Sequence, residues 1–232
     1  MTTKIIIEDY VMPQLFTSAI EAYEFEHKSH LNGKGKKELE TYGLLWGYVL
    51  PERHGQRKRI VCTHTTVETS ALRDHGEVTP NIKSLKMKKD FFQKYWSHLE
   101  LVGTFHTHPY EDLNQVNKAG IGSKGGGGGW KASDGDKAHF PWIHKVLCPE
   151  LPVMAHIIIT ITKYLRTPSY PTANAFERNT GFTISADGRK IWIKGYSTEL
   201  DEEEDEDGDV ESFYHFSEKI HLDIPSLEKR FL

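Results

Sequence analysis

Phe105-His106-Thr107-His108-Pro109 sets two imidazoles two residues apart, directly after the apolar run Leu101–Phe105. That run reads as a buried strand, and residues i and i+2 of a strand point to the same face. His106 and His108 are therefore expected to aim their ring nitrogens at one point, as two ligands of a single metal must. Pro109 has no N–H for a sheet ladder and is expected to end the strand. Downstream, Ser133-Asp134-Gly135-Asp136 offers a carboxylate as third ligand. Two histidines and one carboxylate leave an open position on zinc for water, which is the arrangement of a catalytic site.

A His-x-His pair is weak on its own in a chain with 13 histidines. Metallo-β-lactamase-like hydrolases need His-x-His-x-Asp-His, whereas this chain continues Pro109-Tyr110-Glu111-Asp112. Glu111 falls too close for a cupin, an amidohydrolase barrel places its pair near the start of a longer chain, and His-Glu-x-x-His is absent. Ser133-x-x-Asp136 also matches a helix N-cap, and both roles are compatible because a cap fixes where Asp136 points.

The elements that must position these residues are legible in outline. Ile5–Ile7 reads as a strand and Pro13 as the opening of a helix carrying Leu15, Ala19, Ala22, Tyr23 and Glu26. Thr41–Leu50 and Ile60–Val67 read as partner strands across a basic turn at 53–59. Lys88–Leu99 reads as an amphipathic helix presenting Phe91, Phe92, Tyr95 and Leu99 to the core. Ala155–Tyr164 is the clearest strand, and Asp187-Gly188 predicts a hairpin between 182–185 and 190–195. The amphipathic stretch 213–232 is expected to close the core. The expected fold is α/β (α+β), a central mixed sheet flanked by helices.

At 232 residues with 38% hydrophobic and 27% charged residues, the chain is read as one domain, 1–232, able to bury a substantial core. Two interruptions stand out, a glycine-rich insertion at 120–129 and an acidic loop at 199–211. Residues 201–209 hold eight acidic side chains, so the rest of the chain carries +4 against a total of −4. Such a block repels itself and is expected to be solvated. Five consecutive glycines, 125–129, are expected to make the insertion a mobile lid. Cys62 and Cys148 have no zinc-ribbon spacing and suggest no disulfide scaffold. No membrane span, secretory signal or nucleic-acid partner is expected, and a reducing cytoplasm is the expected location.

Upstream of the histidines, Glu40-Thr41-Tyr42-Gly43-Leu44-Leu45-Trp46-Gly47 puts a carboxylate at the mouth of a strand. With this third block the chain resembles the JAMM/MPN metalloprotease family, the JAB domain, in its compact prokaryotic form. The family signature is Glu-x-x-Gly-apolar-apolar-x-Gly, then His-(Ser/Thr)-His-Pro, then Ser-x-x-Asp, and all three blocks occur here in that order. One departure is the spacing: His108 and Asp136 are 28 positions apart, where the family has about a dozen. The glycine-rich insertion accounts for the excess, and Glu111, Asp112 and Asp134 are rival third ligands.

The resemblance implies a JAB/MPN-like fold with a cytidine-deaminase-like layout. It also implies Zn²⁺ held by His106, His108 and Asp136, with Glu40 as general base and Ser133 as hydrogen-bond donor to the tetrahedral oxyanion. The implied reaction is hydrolysis of the amide bond after the C-terminal glycine of a ubiquitin-like modifier, whose extended tail is added as a strand. The implied partners are the modifier, its conjugates and the enzymes of a modifier-conjugation operon. Two other outcomes remain open at this point, a zinc hydrolase acting on small peptides or other amides, and a non-catalytic MPN scaffold.

Overall fold

A computed structural model of the protein describes residues 2–27, 35–52, 57–120, 128–166, 172–177, 179–204 and 210–230. In chain order its elements are β1 (Thr3–Ile7), α1 (Val11–Glu24), β2 (Tyr42–Leu50), β3 (Arg59–Val67), β4 (Leu72–Arg73), β5 (Val78–Thr79), α2 (Ile82–Tyr95) and β6 (Glu100–Tyr110). They continue with α3 (Leu113–Lys118), α4 (Asp134–Leu147), β7 (Val153–Lys163), β8 (Thr172–Phe176), β9 (Gly181–Ala186), β10 (Arg189–Glu204), β11 (Val210–Ser217), β12 (Ile220–Asp223) and α5 (Pro225–Arg230).

One ten-stranded mixed sheet runs β12-β1-β3-β2-β6-β7-β10-β9-β8, with β11 added on β10. The joins β1/β12, β1/β3 and β6/β7 are parallel and the others antiparallel. Val11, Leu15, Ala19 and Tyr23 of α1 and Leu227 of α5 pack with Ile5, Ile157, Ile159 and Ile193 on one side. Leu85 of α2 and Ile143 and Leu147 of α4 pack with Tyr42, Leu44 and Trp46 on the other. The expected mixed α/β architecture with flanking helices is thus present. No helix among the described residues is long and apolar enough to cross a membrane.

Strands β6 and β7 lie at the centre, and both are buried almost throughout. A parallel pair with helices on both faces needs near-continuous apolar sequence, which Ala155–Ile161 supplies. The register of β6 on β2 shifts between Leu45↔Gly103 and Trp46↔Leu101, so Val102 is an extra residue. This bulge changes which parity of β6 faces which layer. Leu101 packs on the α4 side, Val102 and Phe105 on the α1 side. Beyond the bulge it is therefore the even positions, His106 and His108, that turn toward α4.

Several expectations need correction. Pro109 does not end its strand: β6 runs to Tyr110, and Pro109 lies opposite Ile161 of β7. It is tolerated because the β2 register stops at Tyr42↔His106, so no partner on that side requires its N–H. The helix placed over 88–99 starts at Ile82, capped by the Asn81 side chain on the Ser84 N–H. Only Leu85 of α2 is fully buried. Phe92 stacks on Trp46, but Phe91 and Tyr95 are exposed, because their rings lie off the strip facing the sheet.

The acidic loop expected over 199–211 is largely sheet. Residues 199–204 continue β10 and pair antiparallel with β11, for example Asp201↔Phe213 and Glu203↔Glu211. Pairing with β7 stops at Glu199, so the acids occupy an exposed two-stranded ribbon where solvent screens them. Residues 205–209 of the acidic block, 121–127 of the glycine-rich insertion, 53–56 of the basic turn and 31–34 of the 31–37 loop lie outside the described residues. The Asp187-Gly188 turn forms as read, with φ of 47° and 75°.

Candidate metal centre

Because β6 is extended and past its bulge, His106 and His108 project from one face, as their spacing requires. His106 is 4% exposed and His108 9%. Their Nε2 atoms lie 3.0 Å apart. The third group arrives on the first turn of α4. The Ser133 Oγ accepts from the Asp136 N–H at 3.1 Å, and the Asp136 carboxylate returns to the Ser133 N–H at 2.7 Å, a complete capping box. The cap therefore aims Asp136: its Oδ1 lies 3.0 Å from His106 Nε2 and its Oδ2 3.4 Å from His108 Nε2.

Among the described residues this trio is the only His/Cys/Asp/Glu group of three or more whose ligand atoms converge, all within 4.8 Å. The donor set suits zinc in kind and spacing. Zinc bonds of about 2.0–2.2 Å in a tetrahedron separate ligand atoms by about 3.3 Å, close to the 3.0 Å between the two Nε2 atoms and to the 3.0 Å from His106 Nε2 to the nearer Asp136 oxygen.

Of the rival carboxylates, none reaches the histidine nitrogens. Asp112 caps α3 by accepting from the Gln115 N–H, and Glu111 accepts from the Gln115 amide. Asp134 faces solvent, 3.7 Å from Lys137 Nζ.

Glu40 lies two residues ahead of β2, in the approach to the strand. Antiparallel register explains its position: counting back from Tyr42↔His106 sets Glu40 across from His108. The Thr107 N–H donates to the Thr41 carbonyl and the Thr41 N–H to Thr107 Oγ1, which extends the pairing to this point. Glu40, Ser133, both histidines and Asp136 line one cleft of about 830 Å³. Gly43, three residues after Glu40, has a steric reason: a Cβ there would sit 2.2 Å from the Phe105 ring.

The electrostatics divide the two carboxyls. Burial raises the Glu40 pKa, and the opposing pull of His106 and His108 does not cancel it. Burial would raise Asp136 as well, but the charges and hydrogen bonds of His106 and His108 hold it far below the usual carboxylate range. Burial would depress His108, yet the hydrogen bond and charge of Asp136 outweigh it and lift the imidazole to about 9. One acid is thus held as an anion beside the imidazoles while the other keeps affinity for a proton.

Other cleft residues escaped the sequence reading. Tyr42 faces the cleft because it is two residues on from Glu40, and His139 because it is one helical turn beyond Asp136. Burial depresses His139 to about 4, with the charge of His106 adding to the effect. Spacing could have signalled both. Gly129 and Thr160, which meet His108 from behind, carry no such signal. No protein-family model matches the sequence, and comparison with curated proteins finds no significant similarity.

Proposed function

We infer that the chain is a zinc-dependent isopeptidase of JAMM/MPN type, hydrolysing the amide bond that follows the C-terminal glycine of a ubiquitin-like modifier. The observation that carries this reading is the convergence of His106, His108 and Asp136 in the same cleft as the buried carboxyl of Glu40. His106, His108 and Asp136 would hold a zinc ion, which would supply a water activated toward a pKa of ~7 and a Lewis acid for the scissile carbonyl. Glu40 takes the proton from the attacking water and hands it to the leaving amine, a role suited to a carboxyl whose pKa is raised by burial.

Ser133 serves the oxyanion. At rest its hydroxyl donates to Asp136 Oδ2 at 2.7 Å. The Ser133 backbone N–H donates to the same oxygen at 2.7 Å. The hydroxyl proton can therefore turn to the substrate without leaving the Asp136 carboxylate unsatisfied. The open cleft admits an extended peptide tail beside the β4–β5 hairpin, where His75, Glu77 and Val78 form part of its wall.

Incubating the zinc-loaded chain with a Gly-Gly peptide joined to a lysine side-chain amine tests this reading. Cleavage after the second glycine, abolished by chelation and restored by zinc, is the expected result. A zinc-loaded chain that leaves the isopeptide intact but cleaves short linear peptides identifies a small-peptide hydrolase instead. Inertness toward both leaves a scaffold.

A further inference from the structure

Behind His108, on the side away from Asp136, the chain returns from its glycine-rich insertion. The Gly129 carbonyl lies 3.0 Å from His108 Nδ1 and 3.0 Å from Thr160 Oγ1. A carbonyl only accepts, so both contacts are donated to it: one by the imidazole Nδ1–H and one by the threonine hydroxyl. Thr160 stands opposite His108 in the parallel β6/β7 register, so the hydroxyl belongs to the central strand pair. The peptide is held from its other side too, with Gly129 N–H donating to the Val116 carbonyl and Gly128 N–H to the Ala119 carbonyl, both at 2.7 Å.

We propose that Gly129 is a positioning residue of the metal centre, its carbonyl fixing Nδ1–H on His108 so that Nε2 is the ligand atom. The proposal rests on the metal-site reading above and adds the group that orients one of its ligands. A neutral imidazole donating Nδ1–H to a fixed carbonyl has a single lone pair left, on Nε2, and a fixed ring plane, so any Nε2 proton is the one a metal displaces. His108 Nε2 is the nitrogen that faces His106 and Asp136.

The glycine at this position has a reason separate from flexibility. Its φ is not in the left-handed region, unlike those of Gly120 and Gly128. A Cβ built on it would lie 2.5 Å from the Tyr110 ring. The Tyr110 backbone stays in place, because its carbonyl accepts from the buried Tyr23 hydroxyl at 2.8 Å, so the ring can yield only by turning about its own side-chain bonds. A side chain at 129 must therefore move the ring or the peptide, and moving the peptide withdraws the carbonyl from His108.

The test compares zinc affinity, by competition with a chromophoric chelator, in wild type, Gly129→Ala, Gly129→Ala/Tyr110→Ala and Thr160→Val. Thermal melts verify that each variant is folded. Gly129→Ala should lower affinity 10- to 100-fold, the range for losing an outer-shell partner. Removing the obstructing ring in the double variant should restore most of it, which general loosening of the loop would not do. Thr160→Val, which removes one of the carbonyl's two donors, should produce a smaller loss. Long-range ¹H–¹⁵N correlation on the zinc-loaded wild type should find the His108 proton on Nδ1.

A proton on Nε2 would overturn the proposal, as would folded Gly129→Ala binding zinc as tightly as wild type. If wild type takes up no metal, the metal-site reading and this proposal fall together. If wild type binds zinc and Gly129→Ala is unaffected, this proposal alone falls.

Discussion

Two carboxyls share the cleft, and their surroundings assign them different work. Asp136 is locked as an anion by a capping box on one edge and imidazoles on the other. Asp136→Ala should weaken zinc binding far more than Asp112→Ala or Asp134→Ala in chelator competition, because only Asp136 approaches the histidine nitrogens. Equal affinities in all three would sink the ligand assignment. Glu40→Gln should retain zinc while lowering turnover by at least ~100-fold, the low end of general acid–base contributions. Near-normal turnover in the zinc-loaded variant would mean that another group moves the proton. At this scale the sequence was most legible, since i, i+2 spacing on a strand and Ser-x-x-Asp at a helix start are local geometry. The contact between Gly129 and His108 was not legible, because it depends on where a chain segment 21 residues away returns.

Among the elements, α4 links stability to chemistry, since one serine both starts the helix and aims a ligand. Ser133→Ala removes the side-chain half of the capping box, which costs about 1 kcal/mol. The melting temperature should then fall by roughly 2–4 °C in a chain of this size. The same variant should lose ~100-fold or more in kcat if the hydroxyl serves the oxyanion. A lowered melting temperature with unchanged kcat would restrict Ser133 to capping. The strands were readable because alternation and β-branched runs are strong local signals, as in β7 and in the Asp187-Gly188 hairpin. The bulge at Val102 was not, since an extra residue in a ladder is defined by its partner strand. Helix α2 begins at Ile82, before its apolar pattern becomes plain, because Asn81 caps it there, and Phe91 and Tyr95 of that pattern face outward. The acidic ribbon was read from charge alone, whereas β11 supplies backbone partners that hold it as a strand.

Across the whole molecule, a hydrogen-bonded chain of buried side chains crosses the layer between α4 and the sheet. His144 Nε2–H donates to the Leu151 carbonyl at 2.9 Å, so the Thr198 hydroxyl donates to His144 Nδ1 at 2.7 Å. Thr198 in turn accepts from His156 Nε2–H at 2.9 Å, and the Thr104 hydroxyl donates to His156 Nδ1 at 2.9 Å. With both imidazoles neutral, as their burial favours, every proton in the chain has an acceptor. Burial accordingly depresses His144 to about 4 and His156 well below its ordinary value. In the unfolded chain both titrate near 6.5. Between that pH and their folded values the unfolded state binds more protons, so stability falls as pH is lowered through 6.5 toward 4. His144 alone accounts for up to roughly 3 kcal/mol over that interval. Urea midpoints for wild type should therefore drop between pH 7 and pH 5, and less steeply for His144→Gln. A flat profile would contradict neutral burial. The overall mixed sheet was foreseeable from interleaved strand and helix patterns, while its strand order, with β12 closing beside β1, was not. The account rests most directly on the metal, and elemental analysis of purified wild type beside His108→Ala measures it. One zinc per wild-type chain and none in a folded His108→Ala variant is the predicted result. Wild type that holds no transition metal, and takes up none on reconstitution, would contradict it.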